Sequence, residues 1–125
     1  MSRALPDARA SFLLHEDRVG YVKKLVDPLK DAPLRVRRLG LPLAVATWSR
    51  EGHDRLVRLL AEWLFKEWGM VRAGSVPQGA ASFLDRLMDE DESSPALRSA
   101  MEVEAEELLQ AAKLISGALT GVTNG

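Results

Sequence analysis

The segment DRLVRLLAEWLFKEW, residues 54–68, decides the fold class of this chain. Its apolar side chains recur three and four residues apart, which places them on one face of an α-helix. A face this broad is typical of a helix at the centre of a core, and Gly69 is placed to end that helix. The apolar positions are Leu56, Leu59, Leu60, Trp63 and Leu64, widened by Val57, Phe65 and Trp68.

Helical spacing also dominates the chain before this segment. It predicts a first helix over residues 6–28 and a second over residues 31–50, with Asp31 as the N-cap of the second. Gly40 and Pro42 lie inside the second helix. Because a proline lacks a backbone donor and crowds the preceding turn, we expect a kink or break near residues 39–41. The apolar positions are Phe12, Val19, Val22 and Val26 in the first helix and Leu34, Val36, Leu41, Val45 and Trp48 in the second.

The pattern continues after the central segment. Residues 73–79 have turn chemistry and predict an exposed loop, a short fourth helix follows, and Ser94 with Pro95 gives the start signal of a last helix. No longer stretch alternates with the period of two that marks a half-buried strand. The sequence therefore predicts an all-α fold, a single compact bundle of about five helices over residues 1–121, with residues 122–125 as a loose tail. The apolar positions are Phe83, Leu84, Leu87 and Met88 in the fourth helix and Leu97, Met101, Leu108, Ala111, Ala112, Ile115 and Leu119 in the last.

Length and composition suit one globular domain. The chain has 125 residues, of which 46% are hydrophobic and 28% charged, the balance of a soluble protein with a core. No apolar run approaches the roughly 20 residues of a bilayer span, and the N-terminus lacks the apolar region of a signal peptide. Cysteine is absent, which excludes disulfides, thiol nucleophiles and thiolate metal sites. We expect a cytoplasmic protein without membrane contact.

Charge is distributed unevenly along the chain. Residues 1–72 hold 14 Lys and Arg against 9 Asp and Glu, whereas residues 73–125 hold 3 against 9. This polarity fits a basic surface for a polyanion and an acidic surface for a neighbouring subunit. On charge alone, solvated helix faces are the favoured explanation.

The residue patterns of common enzymes are missing. The two histidines, His15 and His53, do not stand one helical turn apart as in zinc enzymes, and neither a nucleophile elbow nor a phosphate-binding glycine loop occurs. His15 with Glu16 and Asp17 would hold a metal only with outside ligands, and the acidic run at residues 89–92 lacks the spacing of a calcium loop. We therefore expect no catalytic centre, no metal and no cofactor.

Basic residues give the positive signal. Arginine suits phosphate because its planar fork donates two hydrogen bonds, so a groove lined with these side chains would bind a nucleic-acid backbone without reading bases. Trp48, Trp63 and Trp68 would be able to stack bases, but their helical apolar positions favour the core, with Trp68 the best exposed candidate. The nucleic-acid-binding candidates are Lys23, Lys24, Lys30, Arg35, Arg37, Arg38, Arg50, Arg55 and Arg58.

The second helical segment, PLRVRRLGLPLAVATWSREG at residues 33–52, also resembles a known family. Its proline, aliphatic-Arg pair, Gly-Leu, Ala-aliphatic-Ala and closing glycine are similar to those of the small-subunit family of type III-B CRISPR–Cas (Cmr) effector complexes. The resemblance extends over residues 32–119, whereas Thr47, Ala111 and Leu114 differ from the family's usual residues. Its matched positions are Pro33, Val36-Arg37, Gly40-Leu41, Ala44-Val45-Ala46, Gly52, Leu56, Leu60, Trp63-Leu64, Glu104-Ala105, Leu108-Leu109, Lys113 and Ala118-Leu119.

The resemblance implies a non-catalytic helical subunit of an RNA-guided antiviral effector complex. Several copies would stack beside larger backbone subunits, and a basic face would contact the phosphates of guide RNA and target RNA. Among the basic candidates, the resemblance carries over Arg37 alone. It also implies the absence of a cofactor.

Two other functions stay open at this stage. A helical protein-interaction adaptor would use an apolar surface for its partner and arginines only for solubility, and it predicts no salt-dependent RNA binding. An enzyme would need a cleft that brings His15 or His53 to a carboxylate.

Overall fold

The computed structural model describes residues 4–68, 76–89 and 94–121 of the chain, and every regular element within these ranges is helical. The prediction of an all-α fold is confirmed for these ranges. The expected helix end at Gly69, the first part of the expected loop at residues 73–79, most of the acidic run and the tail at residues 122–125 lie outside them.

The helices are more numerous than the five expected, because the predicted first and second helices are each divided. The elements in chain order are α1 (Ala4–Leu14), α2 (Glu16–Val22), a 3₁₀ turn (Lys23–Leu25), α3 (Val26–Leu29), α4 (Ala32–Leu39), α5 (Leu41–Arg50), α6 (Asp54–Glu62), a π-helical turn (Trp63–Glu67), α7 (Ala80–Met88) and α8 (Pro95–Thr120).

The first predicted helix is interrupted at His15. The backbone of His15 is extended, with φ −58° and ψ 143°, so it cannot continue α1. Its Nδ1 accepts a hydrogen bond of 3.1 Å from the backbone N–H of Asp17, which satisfies a free donor in the first turn of α2. His15 thus caps α2 and separates it from α1, although the apolar spacing of the two helices predicts one continuous helix.

The predicted break in the second helix is confirmed at Gly40. This residue has φ 82° and ψ 161°, a region open almost only to glycine, and Pro42 follows in the first turn of α5. The backbone N–H of Leu41 donates to Glu102 Oε2 of α8 at 2.8 Å. The start of the segment was predicted less well, because the Asp31 side chain makes no capping bond and pairs with Arg35 instead.

A π-helical turn at Trp63–Glu67 was not expected. The backbone N–H of Trp68 donates to the carbonyl of Trp63 at 2.8 Å, one residue further back than in an α-helix. Over the eight residues from Arg58 to Lys66, an uninterrupted α-helix would overshoot a whole number of turns by roughly 80°. The extra residue in the π turn offsets part of this rotation, and both side chains line the same cleft.

The long helix α8 is the element against which the N-terminal half packs. It contacts α1, the 3₁₀ turn, α3 and most extensively α4, while α5 packs against α6 and α7. All apolar positions predicted for the central segment are buried except Trp68, which is partly buried against the core. Leu34, Met88 and Leu119 were predicted on buried faces but are exposed. Gly117 is buried within α8, which continues to Thr120.

Much of the charge difference between the two parts of the sequence is satisfied inside the chain. Arg9 of α1 and Arg37 of α4 form ion pairs with carboxylates of α8. Glu104 is 5% exposed and Arg9 is 9% exposed. Arg9 donates through Nε and Nη2 to the two carboxylate oxygens of Glu104 at 2.7 and 2.8 Å, and Trp63 Nε1 donates to Glu104 Oε2 at 2.8 Å.

Within the described ranges, no helix combines the length and apolar character that crossing a bilayer requires.

We predict that Glu104→Gln lowers the free energy of unfolding by about 3 kcal/mol, because it leaves a buried guanidinium without its main counter-charge. Urea denaturation followed by circular dichroism measures this change. Glu107→Gln is the matched control, since Glu107 also contacts Arg9, at 3.0 Å, but its side chain is 54% exposed. We expect the control to cost less than about 1 kcal/mol. Equal losses in the two variants would contradict the prediction.

We predict that Gly40→Ala destabilises the protein more than Gly52→Ala. Both glycines have a positive φ, of 82° and 85°, so both variants place an L-residue in an unfavourable conformation costing roughly 1–3 kcal/mol. Only at Gly40 would the new Cβ stand 3.1 Å from Glu102 Oε2, whereas nothing lies within 4 Å at Gly52. Thermal unfolding of both variants tests the difference, and a larger loss at Gly52 would show that the Glu102 contact does not constrain the break.

Candidate nucleic-acid interface

The nine basic residues nominated from the sequence lie in three parts of the fold. Three of them lie on or beside the bend formed by the 3₁₀ turn and α3, three lie on α4, and the rest lie at the end of α5 and on α6. Of these nine residues, Arg55 and Arg58 line the same cleft. In order of the three parts, the nine residues are Lys23, Lys24 and Lys30; Arg35, Arg37 and Arg38; and Arg50, Arg55 and Arg58.

On α4, two of the three arginines are held by carboxylates. Arg35 donates to Glu51 and Asp31, each at 2.9 Å, and to Thr47 Oγ1 at 3.1 Å. The pKa of Arg35 is raised, first by its hydrogen bond to Glu51. These contacts fix α4 against the end of α5.

Arg37, the residue carried over by the resemblance, points to α8. Its Nη2 donates to Glu106 Oε1 at 2.6 Å, which raises the pKa of Arg37, although the arginine side chain is 69% exposed. Arg38 is exposed and makes no ion pair within the described part of the chain. The three α4 arginines therefore do not form one open surface.

A cleft of about 550 Å³ lies between α2 and the rod formed by α6 and its π turn. The rod contributes side chains from successive turns, at spacings of three, four and four residues, and α2 supplies the opposite wall. The lining includes four cations and two carboxylates, and each wall carries charges of both signs. Its lining is Asp17, Arg18 and Tyr21 from α2 and Arg55, Arg58, Glu62 and Lys66 from the rod. We call this the α2–α6 cleft.

The inner wall of the cleft is built on Arg18. Its guanidinium carbon lies 3.9 Å from the centre of the Phe12 ring, and its Nη1 donates to the Phe12 carbonyl at 3.2 Å. Its Nε lies 3.6 Å from Glu62 Oε1 and makes no hydrogen bond. Arg18 therefore forms part of the wall of the cleft, and its side chain is mostly buried.

Tyr21 and Glu62 form a coupled pair beside Arg18. The Tyr21 hydroxyl donates to Glu62 Oε1 at 3.3 Å. Burial and then the negative charge of Glu62 raise the pKa of Tyr21 from 10.0 to about 12, and these effects outweigh the opposing charges of Arg18 and Arg58. The hydroxyl is therefore a neutral donor throughout the physiological range.

Three cations of the cleft remain open to a ligand. Arg55, Arg58 and Lys66 are exposed and make no ion pair within the described ranges. The sequence nominated the two arginines but missed Lys66, Arg18, Tyr21 and Glu62. The signal for Lys66 and Glu62 was present in their helical spacing from Arg55, but α2 is brought to the rod only by the tertiary fold.

Neighbouring hollows extend the cleft in both directions along the rod. One shares Arg18 and Lys66 with it and is also lined by His15 and Glu67. Others share Arg58 with it and continue past Pro77 and Gln78. Together these hollows form a groove that runs along α6 and reaches the N-terminal end of α7.

The structure also gives the positions of the tryptophans and of His53, which were further candidates from the sequence. Trp48 and Trp63 are buried, which confirms the preference for core packing, and Trp68 is partly buried. His53 precedes α6 and lies 3.6 Å from Glu51. In the described ranges, no three His, Cys, Asp or Glu side chains are arranged to hold a metal ion.

We predict that Tyr21 titrates near pH 12 in the folded protein. Because the pKa is raised on folding, the stabilising contribution is complete below about pH 10 and is lost as the pH rises towards 12. Tyr21 is the only tyrosine, so ultraviolet absorbance of the phenolate reports it directly, with tryptophan emission verifying that the chain stays folded. In Glu62→Gln the midpoint should fall towards 10 without reaching it, since burial remains the larger cause. A midpoint near 10 in the folded parent would contradict the assignment.

Comparison with known proteins identified no relative of the chain. No family model, curated protein or solved structure matches the chain. Its function must therefore be inferred from its own residues and from the geometry of the cleft.

Proposed function

We propose that this chain is a non-catalytic, RNA-binding subunit of a cytoplasmic CRISPR effector complex, and that the groove along α6 binds the phosphate backbone of guide or target RNA. One observation carries this proposal: Arg55, Arg58 and Lys66 line one cleft and make no ion pair in the described ranges. Exposed cations along one side of a single rigid element suit a linear polyanion.

The shape and chemistry of the groove support backbone contact rather than base reading. A single strand of nucleic acid binds in a positively charged groove that follows its backbone. The lining of the groove carries charges of both signs, since Asp17, Asp54, Glu62 and Glu67 accompany its four cations, so phosphate contact is assigned to the exposed Arg55, Arg58 and Lys66. Trp48 and Trp63 are in the core and cannot stack bases. The expected result is RNA binding with little sequence preference and strong dependence on salt.

The resemblance of residues 32–119 to type III-B small subunits supplies the rest of the proposal. It supports stacking of several copies beside other subunits, and it requires two different surfaces on each copy. A second hollow lies between α4 and α8, where Arg37 and Glu106 adjoin Gln110, Ala111 and Leu114. Because Ala111 and Leu114 differ from the family's usual residues, the proposal of stacking rests on the resemblance and not on this hollow.

That second hollow favours the alternative function, a helical protein-interaction adaptor. It has a volume of about 410 Å³, and Leu114 is among the most exposed large apolar side chains of the described ranges. Exposed apolar side chains beside charged ones are common at protein interfaces. The two functions differ in one measurable respect, since the adaptor requires no RNA binding.

We predict that Arg55→Ala/Arg58→Ala/Lys66→Ala binds single-stranded RNA roughly tenfold or more weakly than the parent. The slope of log affinity against log salt should become shallower by about 2, because three phosphate contacts are removed at about 0.7 each for a single strand. Fluorescence anisotropy with a labelled oligoribonucleotide over a range of salt concentrations measures both quantities.

The matched control is Arg35→Ala/Arg37→Ala/Arg38→Ala, which removes the same charge from α4. Because Arg35 and Arg37 are already paired with carboxylates, this variant should lose less affinity than the cleft variant. Equal losses would show that net charge alone governs binding. A parent chain that binds no RNA even at low salt would overturn the proposed groove and support the adaptor.

A further inference from the structure

A carboxylate stands in the middle of the cationic line of the α2–α6 cleft. Glu62 lies one turn after Arg58 and one turn before Lys66, and all three side chains line the same cleft. A carboxylate repels phosphate, so it weakens a site that serves phosphate alone. Its place on this line calls for a role that the phosphate contacts do not supply.

Glu62 is the counter-charge of the mostly buried Arg18, but this ion pair uses only Oε1. The closest approach is 3.6 Å, from Arg18 Nε to Glu62 Oε1, and Nε makes no hydrogen bond. The guanidinium is also held by the carbonyl and ring of Phe12. Arg18 would keep these two contacts without Glu62.

The carboxylate of Glu62 has one oxygen engaged and one available. Oε1 accepts from the Tyr21 hydroxyl at 3.3 Å, while Oε2 accepts no hydrogen bond within the described ranges. The side chain is 24% exposed and borders the cleft, so a ligand can reach it. The Tyr21 hydroxyl thus contacts one oxygen of Glu62, and the other oxygen is open to a donor on a ligand.

The ligand proposed for this cleft carries such a donor. A ribose 2′-hydroxyl can donate a hydrogen bond, and it is the group by which proteins distinguish RNA from DNA. An O–H donor and a carboxylate form a short, charge-assisted hydrogen bond. The eight residues from Arg58 to Lys66 span about 12 Å of helix, which leaves room for a sugar over Glu62 between phosphates held by the two cations.

We propose that Glu62, oriented by Tyr21, accepts a hydrogen bond from a 2′-hydroxyl of single-stranded RNA and makes the α2–α6 cleft selective for ribose over deoxyribose. This inference rests on the proposed function, because it requires that nucleic acid lies on Arg58 and Lys66. It adds selectivity for sugar to a site that otherwise contacts only phosphate.

The test compares three single strands of one sequence, with ribose, deoxyribose or 2′-O-methylribose, all carrying uracil so that only the 2′ position differs. Anisotropy at fixed salt should show the parent chain binding the ribose strand roughly tenfold more tightly than either other strand, the gain expected of a charge-assisted hydrogen bond. The methylated strand removes the donor without any change to the protein.

Variants then assign the selectivity to Glu62. Glu62→Ala should reduce the ratio of ribose to deoxyribose affinity to about 1, with deoxyribose affinity unchanged or raised because a repulsive charge is gone. Tyr21→Phe should lower the ratio partially, whereas a merely structural role would lower both affinities equally. Glu16→Ala, which removes an exposed carboxylate of α2 that lines none of the hollows of the groove, should leave the ratio unchanged.

Each other outcome has a definite meaning. Equal binding of all three strands by the parent overturns the inference and leaves the proposed phosphate groove intact. A selective parent whose ratio survives in Glu62→Ala also overturns it and assigns Glu62 to Arg18. Failure of every strand to bind overturns both the inference and the proposed function. If Glu62→Ala fails to fold by circular dichroism, the methylated strand and Tyr21→Phe decide the question.

Discussion

The buried carboxylate of Glu104 is the constraint on which the rest of the structure depends. It accepts hydrogen bonds from Arg9 of α1 and from the indole of Trp63 in the π turn, so three separate elements meet at one charge in α8. A buried ion is tolerated only when it is fully paired, and this requirement permits few relative positions of the three elements. Fixing Trp63 fixes the rotation of the rod, and with it the side of the rod on which Arg58 and Lys66 emerge.

The same residues connect the core to the candidate interface. The rings of Trp63 and Phe12 pack with centroids 5.0 Å apart, and the other contact of Phe12 is the guanidinium of Arg18 at the wall of the cleft. Arg18 in turn lies beside Glu62. The α2 wall and the rod are thus held by one continuous series of contacts from Glu104 outward. A cleft supported in this way presents its cations from a rigid scaffold, which reduces the entropy lost when a strand binds.

Ion pairing decides which basic residues remain available. The sequence shows a basic first part and an acidic second part, which suggested two surfaces for two partners. Folding brings Arg9 and Arg37 to α8, where they meet its carboxylates, so a substantial share of this polarity is used within the chain. Arg9 and Arg37 are thus paired with carboxylates of α8, whereas Arg55, Arg58 and Lys66 are among the basic residues that make no ion pair within the described ranges. Clustering along the sequence did not show that Arg35 and Arg37 of α4 are paired with carboxylates, and it did not include Lys66.

The sequence by itself determined the helical class, the central helix at residues 54–68, the break at Gly40 and the start of α8 at Ser94, because each depends on local periodicity, backbone freedom or capping. Local patterns also predicted correctly that Trp48 and Trp63 are buried. The division at His15 depends on a local capping bond to Asp17 that the apolar spacing does not show. Only the tertiary structure decided the π turn, the burial of Glu104 and the position of Arg18 and Tyr21 beside the rod. These depend on contacts between residues far apart in the sequence, such as the 95 positions that separate Arg9 from Glu104. The position of a charged residue in the sequence does not show which opposite charge it will meet. Which charged side chains are paired, and which stay unpaired, is therefore decided only when the helices pack.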